Sequence, residues 1–329
     1  MGFEALRLPD PIALIEAIAG DLRRVVRGFR RRGAVVGLSG GIDSSVVAAL
    51  AARAFGPERV VGVLMPEVDS STDTLRLSRM AAEAFGIATV LEDITPILDA
   101  AGCYRRRDAA FQQVLPAYGP GWRAKLVLPS LLDSDAYRLL EVLAVDPNGH
   151  EHRARLTADA HLQVVAASNF KQRTRKMLEY HYADRLYYAV LGTPNRLEYD
   201  QGFFVKQGDG AADVKPIAHL FKTQVYELAE ALGVPQEIVA RPPTTDTYAL
   251  PQTQEEFYFS LPYQSMDLCL YAVDKGLPPA SVTDALGLTV EQVGRVFDDI
   301  VAKRRVARYL REEPVLLCEH ASPETHRTI

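Results

Sequence analysis

One stretch of nine residues has the composition of an anion-binding turn. It lies between an apolar run, Ala34–Val36, and an alanine-rich run, Val46–Ala52, which predict a buried strand and a helix. The turn residues are Gly37, Leu38, Ser39, Gly40, Gly41, Ile42, Asp43, Ser44 and Ser45. A glycine turn that opens a helix gathers backbone N–H groups into a concavity that binds anions. The serine hydroxyls and Asp43 beside it suit a phosphate chain with its metal ion.

The turn differs from a Walker A loop, because no Gly-Lys-Ser/Thr sequence ends it. It resembles instead the SGGxDS loop of the ATP-pyrophosphatase group, whose members cleave ATP between the α and β phosphates. The alternative is an ordinary glycine turn with a serine N-cap. The strand before the turn and the helix after it favour the nucleotide interpretation. The turn and its flanking elements do not identify the second substrate.

Composition and charge set limits on the class of protein. Of 329 residues, 48% are apolar and 24% are charged, which is typical of a globular protein in water. The net charge of −5 gives no argument for nucleic acid as a partner. Cys103, Cys269 and Cys318 lie far apart, which predicts reduced thiols and neither a zinc site nor a disulfide framework. No apolar stretch reaches the roughly 18 residues of a membrane span, so we expect a cytoplasmic protein without a membrane partner.

An α/β architecture is predicted around the turn. Strands are expected at residues 34–38, 60–65, 87–91 and 189–193, and helices at 10–32, 71–85, 158–186 and 221–232. This alternation predicts a doubly wound parallel sheet, whose ligands bind at the carboxyl ends of the strands. Met65 ends the second strand and is either an adenine contact or a core residue. The arginine-rich face of the first helix is a solvated face, a subunit contact or an RNA-binding patch.

Residues 102–157 interrupt the alternation. Two strand-like runs, 124–128 and 137–145, are followed by the turn Asp146–Gly149 and by an alternating run, 152–156. We interpret the segment as an inserted β-rich flap or an arm for a partner subunit. An irregular stretch is expected from Pro242 to about residue 262, and two C-terminal helices at 281–286 and 290–310. One domain spanning residues 1–329 is the economical interpretation.

A second set of motifs selects among the enzymes that share the turn. The motifs are Asn169–Arg175, Leu191–Tyr199, Gly202–Asp213, Lys215–Ile217, Leu220–Gln224 and Arg241–Asp246. In order and spacing they resemble the ammonia-dependent NAD synthetase family across residues 10–100 and 158–247. The resemblance implies an adenine nucleotide alpha hydrolase-like, Rossmann-like fold. It also implies ATP-dependent amidation of deamido-NAD through an acyl-adenylate, with release of AMP and pyrophosphate.

Making an amide from a carboxylate requires activation, and attack on ATP gathers negative charge that Mg²⁺ and a few cations stabilise. We predict Asp43 and Glu198 as the metal ligands, with a solvent-facing helix position as the alternative for Glu198. The resemblance implies ATP contacts from the turn and from Thr193, Lys222 and Thr244. It implies acceptor contacts from Arg173, Lys206, Asp213 and Lys303, and catalytic roles for Asp43, Lys206 and Lys222.

The acceptor side departs from the family pattern. Residues 249–259 stand where the family has a mobile cover over the substrate, but here a glycine, an acidic residue and a final Leu-Gly are missing and three aromatics have appeared. Ala302–Arg305 keeps only the lysine of a His-Lys pair. These changes predict a more apolar pocket. The acceptor is therefore either deamido-NAD or another carboxylic acid.

The resemblance also implies a homodimer with its dinucleotide site near the subunit interface. No glutaminase unit fits in the rest of the chain, so the nitrogen donor is free ammonia or ammonia delivered by a separate protein. Two alternatives from other classes are a non-catalytic nucleotide sensor and a tRNA-thiolating enzyme. The sensor does not need both Asp43 and Glu198. The tRNA enzyme requires a cysteine pair or a basic surface.

Overall fold

The computed structural model describes residues 1–128, 131, 140–245 and 247–317. Within them, two sheets are formed. The strands are β1 (Ala34–Gly37), β2 (Val60–Leu64), β3 (Ala88–Leu91), β4 (Arg123–Val127), β5 (Glu141–Val145), β6 (Glu151–Arg155) and β7 (Ala189–Leu191). Four of them make a parallel sheet in the order β3-β2-β1-β7, and the other three make an antiparallel sheet in the order β4-β5-β6. The predicted parallel α/β sheet is confirmed, with strands one or two residues shorter than expected.

Helices cover both faces of the parallel sheet. They are α1 (Pro11–Gly28), α2 (Ile42–Phe55), α3 (Thr72–Ala84), α4 (Thr95–Ala100), α5 (Cys103–Gln112), α6 (Ala158–Leu186), α7 (Arg196–Gln201), α8 (Lys222–Leu232), α9 (Gln236–Ala240), α10 (Tyr263–Asp274), α11 (Thr283–Leu286) and α12 (Val290–Arg311). The central strand is apolar throughout because both of its faces are covered. Val36 packs with α1, α2 and α8, whereas Val35 packs with α4 and α6. No helix in the described part of the chain is long and apolar enough to cross a bilayer.

The segment 102–157 combines a helix with the antiparallel sheet. Residues 103–112 of the predicted β-rich insertion form α5, which packs against α6. Cys103, Arg107, Ala110 and Phe111 recur at helical spacing and are buried, and Arg107 is buried because carboxylates pair with its charge. The hairpin turn at Asp146–Gly149 joins β5 to β6 as predicted. Residues 137–139 of the predicted run 137–145, like Cys318, lie outside the described residues.

The C-terminal part forms a flank with its own apolar core. Helices α10 and α12 bury Met266, Leu270, Val296 and Ile300 together, and the predicted helix at 290–310 is confirmed as α12. Helix α10 was not predicted, because its residues 266–270 are buried on every side and show no amphipathic period. Residues 249–259, which we call the cover segment, end in one π-helical turn, Glu255–Phe259.

Candidate active site

The turn after β1 has the shape that its glycines predicted. Gly40 has φ +70, and a Cβ there would lie 2.7 Å from the Thr74 carbonyl oxygen. The hydroxyls of Ser44 and Ser45 donate to the Gly41 carbonyl at 3.0 and 2.9 Å. These bonds fix the first turn of α2 onto the glycines. The N-terminus of α2 therefore faces the carboxyl edge of the sheet, where its amides can bind an anion.

A cavity of about 1150 Å³ opens at this edge of the sheet. Most of the predicted nucleotide contacts line it. These are Gly37, Leu38, Ser39, Gly41, Ile42, Asp43, Ser44, Met65, Thr193, Glu198, Lys222 and Thr244. Gly40 and Ser45 are not among the lining residues. They shape the turn from behind, as their contacts with Thr74 and with the Gly41 carbonyl show.

Lys222 and Asp43 form an ion pair at the floor of the cavity, in which the lysine is buried and the carboxylate is partly exposed. Lys222 begins α8 and is 2% exposed, and the amide of Asn195 donates to the other oxygen of Asp43 at 3.0 Å. Burial alone would lower the pKa of Lys222. The carboxylates of Asp43 and Glu198 outweigh that effect and raise the pKa of Lys222, so the ammonium stays charged.

Glu198 faces the same floor, so the solvent-facing alternative for this residue is wrong. It is the third residue of α7 and forms a capping box with Asn195, whose side chain accepts from the Glu198 amide at 3.1 Å. The side-chain amide of Gln254 donates to Glu198 Oε1 at 2.9 Å. Burial, followed by the charge of Asp43, raises the pKa of Glu198 to about 7. The two carboxylates are therefore close enough to repel each other.

The donor set of this floor suits Mg²⁺. Proteins bind Mg²⁺ through one or two carboxylates and leave the other positions to phosphates and water. Asp43 and Glu198 supply two such carboxylates. Across the described ranges, no group of three or more histidine, cysteine or acidic side chains could form a complete protein cage for a metal. The residues present thus fit a metal ion that arrives with a phosphate chain.

A second ion-pair network was not found from the sequence. Lys171 is 1% exposed and lines the cavity, and its ammonium donates to Glu67, Asp69 and the Thr247 carbonyl at 2.8, 2.7 and 2.7 Å. Arg107 of α5 pairs with Asp69 as well. The partners of Lys171 lie 104, 102 and 76 residues away in the chain, so no local spacing reveals them. The network ties the end of β2 to the residues that lead into the cover segment.

Thr245 is another lining residue that sequence analysis missed. It is 9% exposed, and its backbone N–H donates to the Gln252 carbonyl at 3.0 Å. Its hydroxyl oxygen is buried and has no hydrogen-bond partner among the described residues. A buried hydroxyl left unpaired costs free energy, so such a group in a cavity wall is available to a ligand.

Of the four predicted acceptor contacts, one lines the cavity and three do not. Lys303 lines the cavity and donates to the Tyr258 carbonyl at 2.7 Å. Arg173, Lys206 and Asp213 are not among the lining residues, and the ammonium of Lys206 donates to the carbonyls of Tyr309 and Glu312 at the end of α12.

Arg173 and Asp213 also have contacts within the chain. Arg173 donates to the Lys206 carbonyl at 3.3 Å. Asp213 accepts from the Val190 amide at 2.8 Å and thereby supports the edge strand β7. In the single chain, the structure therefore does not bring these three side chains to the floor where Asp43 lies.

The sheet, the glycine turn and the lysine–carboxylate floor together define a Rossmann-like nucleotide-binding enzyme of the ATP-pyrophosphatase kind. The NAD synthase family profile matches residues 14–114 and 140–311. The chain belongs to the NAD synthase family. The internal gap between the two matched ranges, residues 115–139, includes β4 and lies within the predicted insertion.

Similar proteins span nearly the whole chain. The NH(3)-dependent NAD(+) synthetase of Rhizobium meliloti (strain 1021) is 57% identical over 308 residues, covering 94% of this chain and 92% of that protein. The NH(3)-dependent NAD(+) synthetase of Mesorhizobium japonicum is 57% identical over 311 residues, covering 94% and 98%. An NMN synthetase structure from Francisella tularensis shares the fold, with a TM-score of 0.65 at 22% identity over 94% of this chain and 98% of that one.

Proposed function

We propose that this protein is an ammonia-dependent NAD synthetase that amidates deamido-NAD at the expense of ATP. The observation that carries the proposal is the shared cavity. One space is lined by residues 37–39 and 41–44 of the turn, by Glu198 and by the buried Lys222. The similarity to NH(3)-dependent NAD(+) synthetases over more than nine-tenths of the chain supports the same reaction.

The reaction would proceed in two displacements. The acceptor carboxylate attacks the α-phosphorus of ATP, the bond to the β-phosphate breaks, and pyrophosphate leaves with the turn amides around it. Lys222 holds a positive charge beside the phosphates, where negative charge gathers. Ammonia then attacks the acyl carbon of the adenylate, AMP leaves, and the nitrogen loses a proton. Thr193, Thr244 and the rest of the turn orient ATP for this sequence.

Asp43 and Glu198 would hold Mg²⁺ in the loaded enzyme. When bound, the ion neutralises charge on the phosphates and on the leaving pyrophosphate. The two carboxylates would position it. The side-chain amide of Asn195 donates to Asp43 Oδ1 at 3.0 Å, and the Asn195 backbone N–H donates to Glu198 Oε2 at 3.3 Å. The side-chain amide of Gln254 donates to Glu198 Oε1 at 2.9 Å, and a carboxylate oxygen can accept this bond and bind a metal ion at the same time.

The far end of the cavity would receive the acceptor. Five apolar or aromatic residues of the cavity wall would form it: Leu128, Leu140, Leu156, Phe257 and Tyr258. Lys303 stands beside this end. Its position supports a role in acceptor binding, whereas Arg173, Lys206 and Asp213 could serve the acceptor only from outside the cavity of one chain.

We further propose a homodimer that uses ammonia free in solution or supplied by a separate protein. Cys103 and Cys269 are buried free thiols, which fits a reducing compartment, and the cytoplasm is the compartment we expect. Nucleic acid and membranes have no part in the proposed activity.

Pyrophosphate release from ATP tests the proposed function. The purified protein is supplied with ATP, Mg²⁺ and ammonia, first with deamido-NAD and then with a panel of other carboxylic acids. Release with deamido-NAD, together with AMP and NAD as products, is the expected result. Release only with another acid would replace the acceptor and keep the chemistry. Binding of ATP without turnover under any acid would instead support a nucleotide sensor.

A further inference from the structure

The cover segment lies along the outer edge of β4. Strand β4 is one of the two outer strands in the order β4-β5-β6. The Leu250 amide donates to the Ala124 carbonyl at 3.4 Å, and the side-chain amide of Gln252 donates to the Leu126 carbonyl. Edge carbonyls that would otherwise face solvent are thus bonded by the cover segment, as when a peptide adds to an exposed sheet edge.

A charged pair fixes the same contact from the other side of the strand. Lys125 alternates with Ala124 and Leu126, and its ammonium donates to Glu256 Oε1 at 2.6 Å and to the Pro251 carbonyl at 3.2 Å. The Lys125 side chain is 14% exposed and that of Glu256 is 36% exposed. The pair is only partly screened by water, so it specifies the register of the cover segment on β4.

Apolar packing joins the same two elements. One apolar cluster contains residues of both elements. Tyr248, just before the cover segment, and Phe257 within it belong to this cluster. The sheet contributes Leu126 and Val142, and Trp122 precedes β4. The Tyr248 hydroxyl also lies 3.2 Å from the Ser168 hydroxyl of α6. The antiparallel sheet and the aromatic residues of the cover segment therefore form one packed unit.

The cover segment brings three side chains into the proposed active site. Gln254 bonds to Glu198, and Phe257 and Tyr258 line the apolar end of the cavity. All three lie within a few residues of Gln252 and Glu256, which contact β4. A shift of the segment along β4 would consequently move the wall of the acceptor end, while leaving the turn at residues 37–45 in place.

We propose that β4 is a docking edge that holds the cover segment over the acceptor end of the cavity, with Lys125 as the positioning residue. This inference rests on the proposed function for its kinetic consequence only. It assigns to the antiparallel sheet the task of setting acceptor specificity. Lys125 acts through Glu256 and the cover backbone, without touching a substrate.

Charge reversal across the pair tests the docking. In Lys125→Glu and in Glu256→Lys, like charges face each other, whereas the double variant restores the attraction in the reverse sense. We expect each single variant to raise the KM for deamido-NAD about three- to tenfold, because the attraction of the ion pair is lost and a repulsion between like charges replaces it. The KM for ATP should stay within about twofold of the wild-type value. The double variant should recover most of the loss. Arg123→Glu, an exposed reversal on the same strand, is the matched control and should behave as wild type.

A second measurement needs no substrate. Chymotrypsin cleaves after aromatic residues, and the cover segment offers Phe257, Tyr258 and Phe259. We expect limited cleavage at these sites to be several times faster in each single variant and to return towards the wild-type rate in the double variant. Gln252→Leu, which removes the bond to Leu126 at similar volume, should also speed cleavage.

The two measurements separate failure of the docking from failure of the proposed function. Equal cleavage in wild type, singles and double variant would overturn the docking. The docking would also be overturned if Lys125→Glu, Glu256→Lys and the double variant all had the wild-type KM for deamido-NAD. If wild type shows no turnover with deamido-NAD, the proposed function fails, and the cleavage series still decides whether β4 holds the cover segment.

Discussion

Lys222 is a buried ammonium, and two nearby carboxylates keep it charged. The proposed reaction uses the same two carboxylates to bind Mg²⁺. Asp43 pairs with Lys222 directly, and Glu198 contributes from the same floor. At the scale of single residues, the site is thus a balance between one cation and two anions. Changing one member alters the electrostatics felt by the others.

Asp43→Asn should abolish adenylation while the protein stays folded. The substitution keeps the shape of the side chain, and Glu198 still compensates the charge of Lys222. Loss of a carboxylate beside the phosphates should lower pyrophosphate release by at least about a hundredfold. Pyrophosphate release under saturating ATP and circular dichroism measure the two effects. Asp73→Asn, at the exposed start of α3, is the control. An unchanged rate in Asp43→Asn would remove this residue from the mechanism.

Thr245→Val should separate function from stability. Valine has the shape of threonine without the hydroxyl, which has no partner among the described residues. We expect the free energy of unfolding to stay equal or to rise by about 1 kcal/mol, while KM for one substrate rises about tenfold. Urea unfolding and steady-state kinetics measure both.

Thr253→Val provides the opposite case for comparison. Its hydroxyl accepts from the Glu256 amide at 3.1 Å and it does not line the cavity, so this variant should lose stability first. Destabilisation of Thr245→Val without a kinetic effect would show that its hydroxyl serves the fold.

At the scale of elements, the conformation of the turn between β1 and α2 requires glycine at position 40 more than at position 41. Alanine at Gly40 would need a left-handed backbone and would overlap the Thr74 carbonyl, whereas a Cβ at Gly41 would lie 3.4 Å from the nearest atom, Ser39 Oγ. We expect Gly40→Ala to lower the free energy of unfolding by about 2 kcal/mol or more, and Gly41→Ala by less than about 1 kcal/mol. Urea denaturation measures the difference. Equal effects would contradict the strain argument.

Asp267 links α10 to the first turn of α8 and should make stability depend on pH. It accepts from the amide and the hydroxyl of Thr223 at 2.7 and 2.8 Å, and burial raises its pKa to about 6. A raised carboxyl pKa means that the folded state binds the proton more tightly than the unfolded state. The contribution to stability is therefore full below about pH 4 and declines as the pH rises towards 6.

The variant Asp267→Asn does not titrate and provides the reference. The stability of wild type relative to this variant should fall by up to about 3 kcal/mol between pH 4 and pH 6. Urea unfolding of both proteins at a series of pH values measures the trend. A difference that is flat across this range would contradict the raised pKa.

Sequence patterns predicted those elements whose signals are local. The alternation of apolar strands and helices, the hairpin at Asp146–Gly149 and the glycine turn all depend on neighbouring residues. Helix α5 was assigned to the β-rich segment because its arginine run hid the buried spacing of Cys103, Arg107 and Phe111. The Lys171 network and the docking of residue 252 on β4 depend on pairs more than a hundred residues apart, which a single sequence does not reveal.

At the scale of the whole molecule, the exposed apolar side chains of α6 and α12 bear on assembly. Leu162, Val306 and Tyr309 are 67%, 69% and 70% exposed in the single chain, and the first two also line the cavity. A homodimer interface would cover exposed apolar side chains of this kind. We expect light scattering to give twice the chain mass of 36.3 kDa. A mass of one chain at micromolar concentration would exclude the homodimer.

The Asp43–Lys222 pair has a consequence for the order in which charged molecules can occupy the protein. Because Lys222 and Asp43 compensate each other's charge, a lone divalent cation or bare orthophosphate must compete with this ion pair for one of its members. The cation alone would bind Asp43 and leave Lys222 without its partner, and the phosphate alone would bind Lys222 and leave Asp43 without its partner. An unpaired charge in a largely buried position is unfavourable. A magnesium–nucleotide complex supplies both signs at once, so we expect the pocket to bind the pre-assembled chelate more tightly than either component alone.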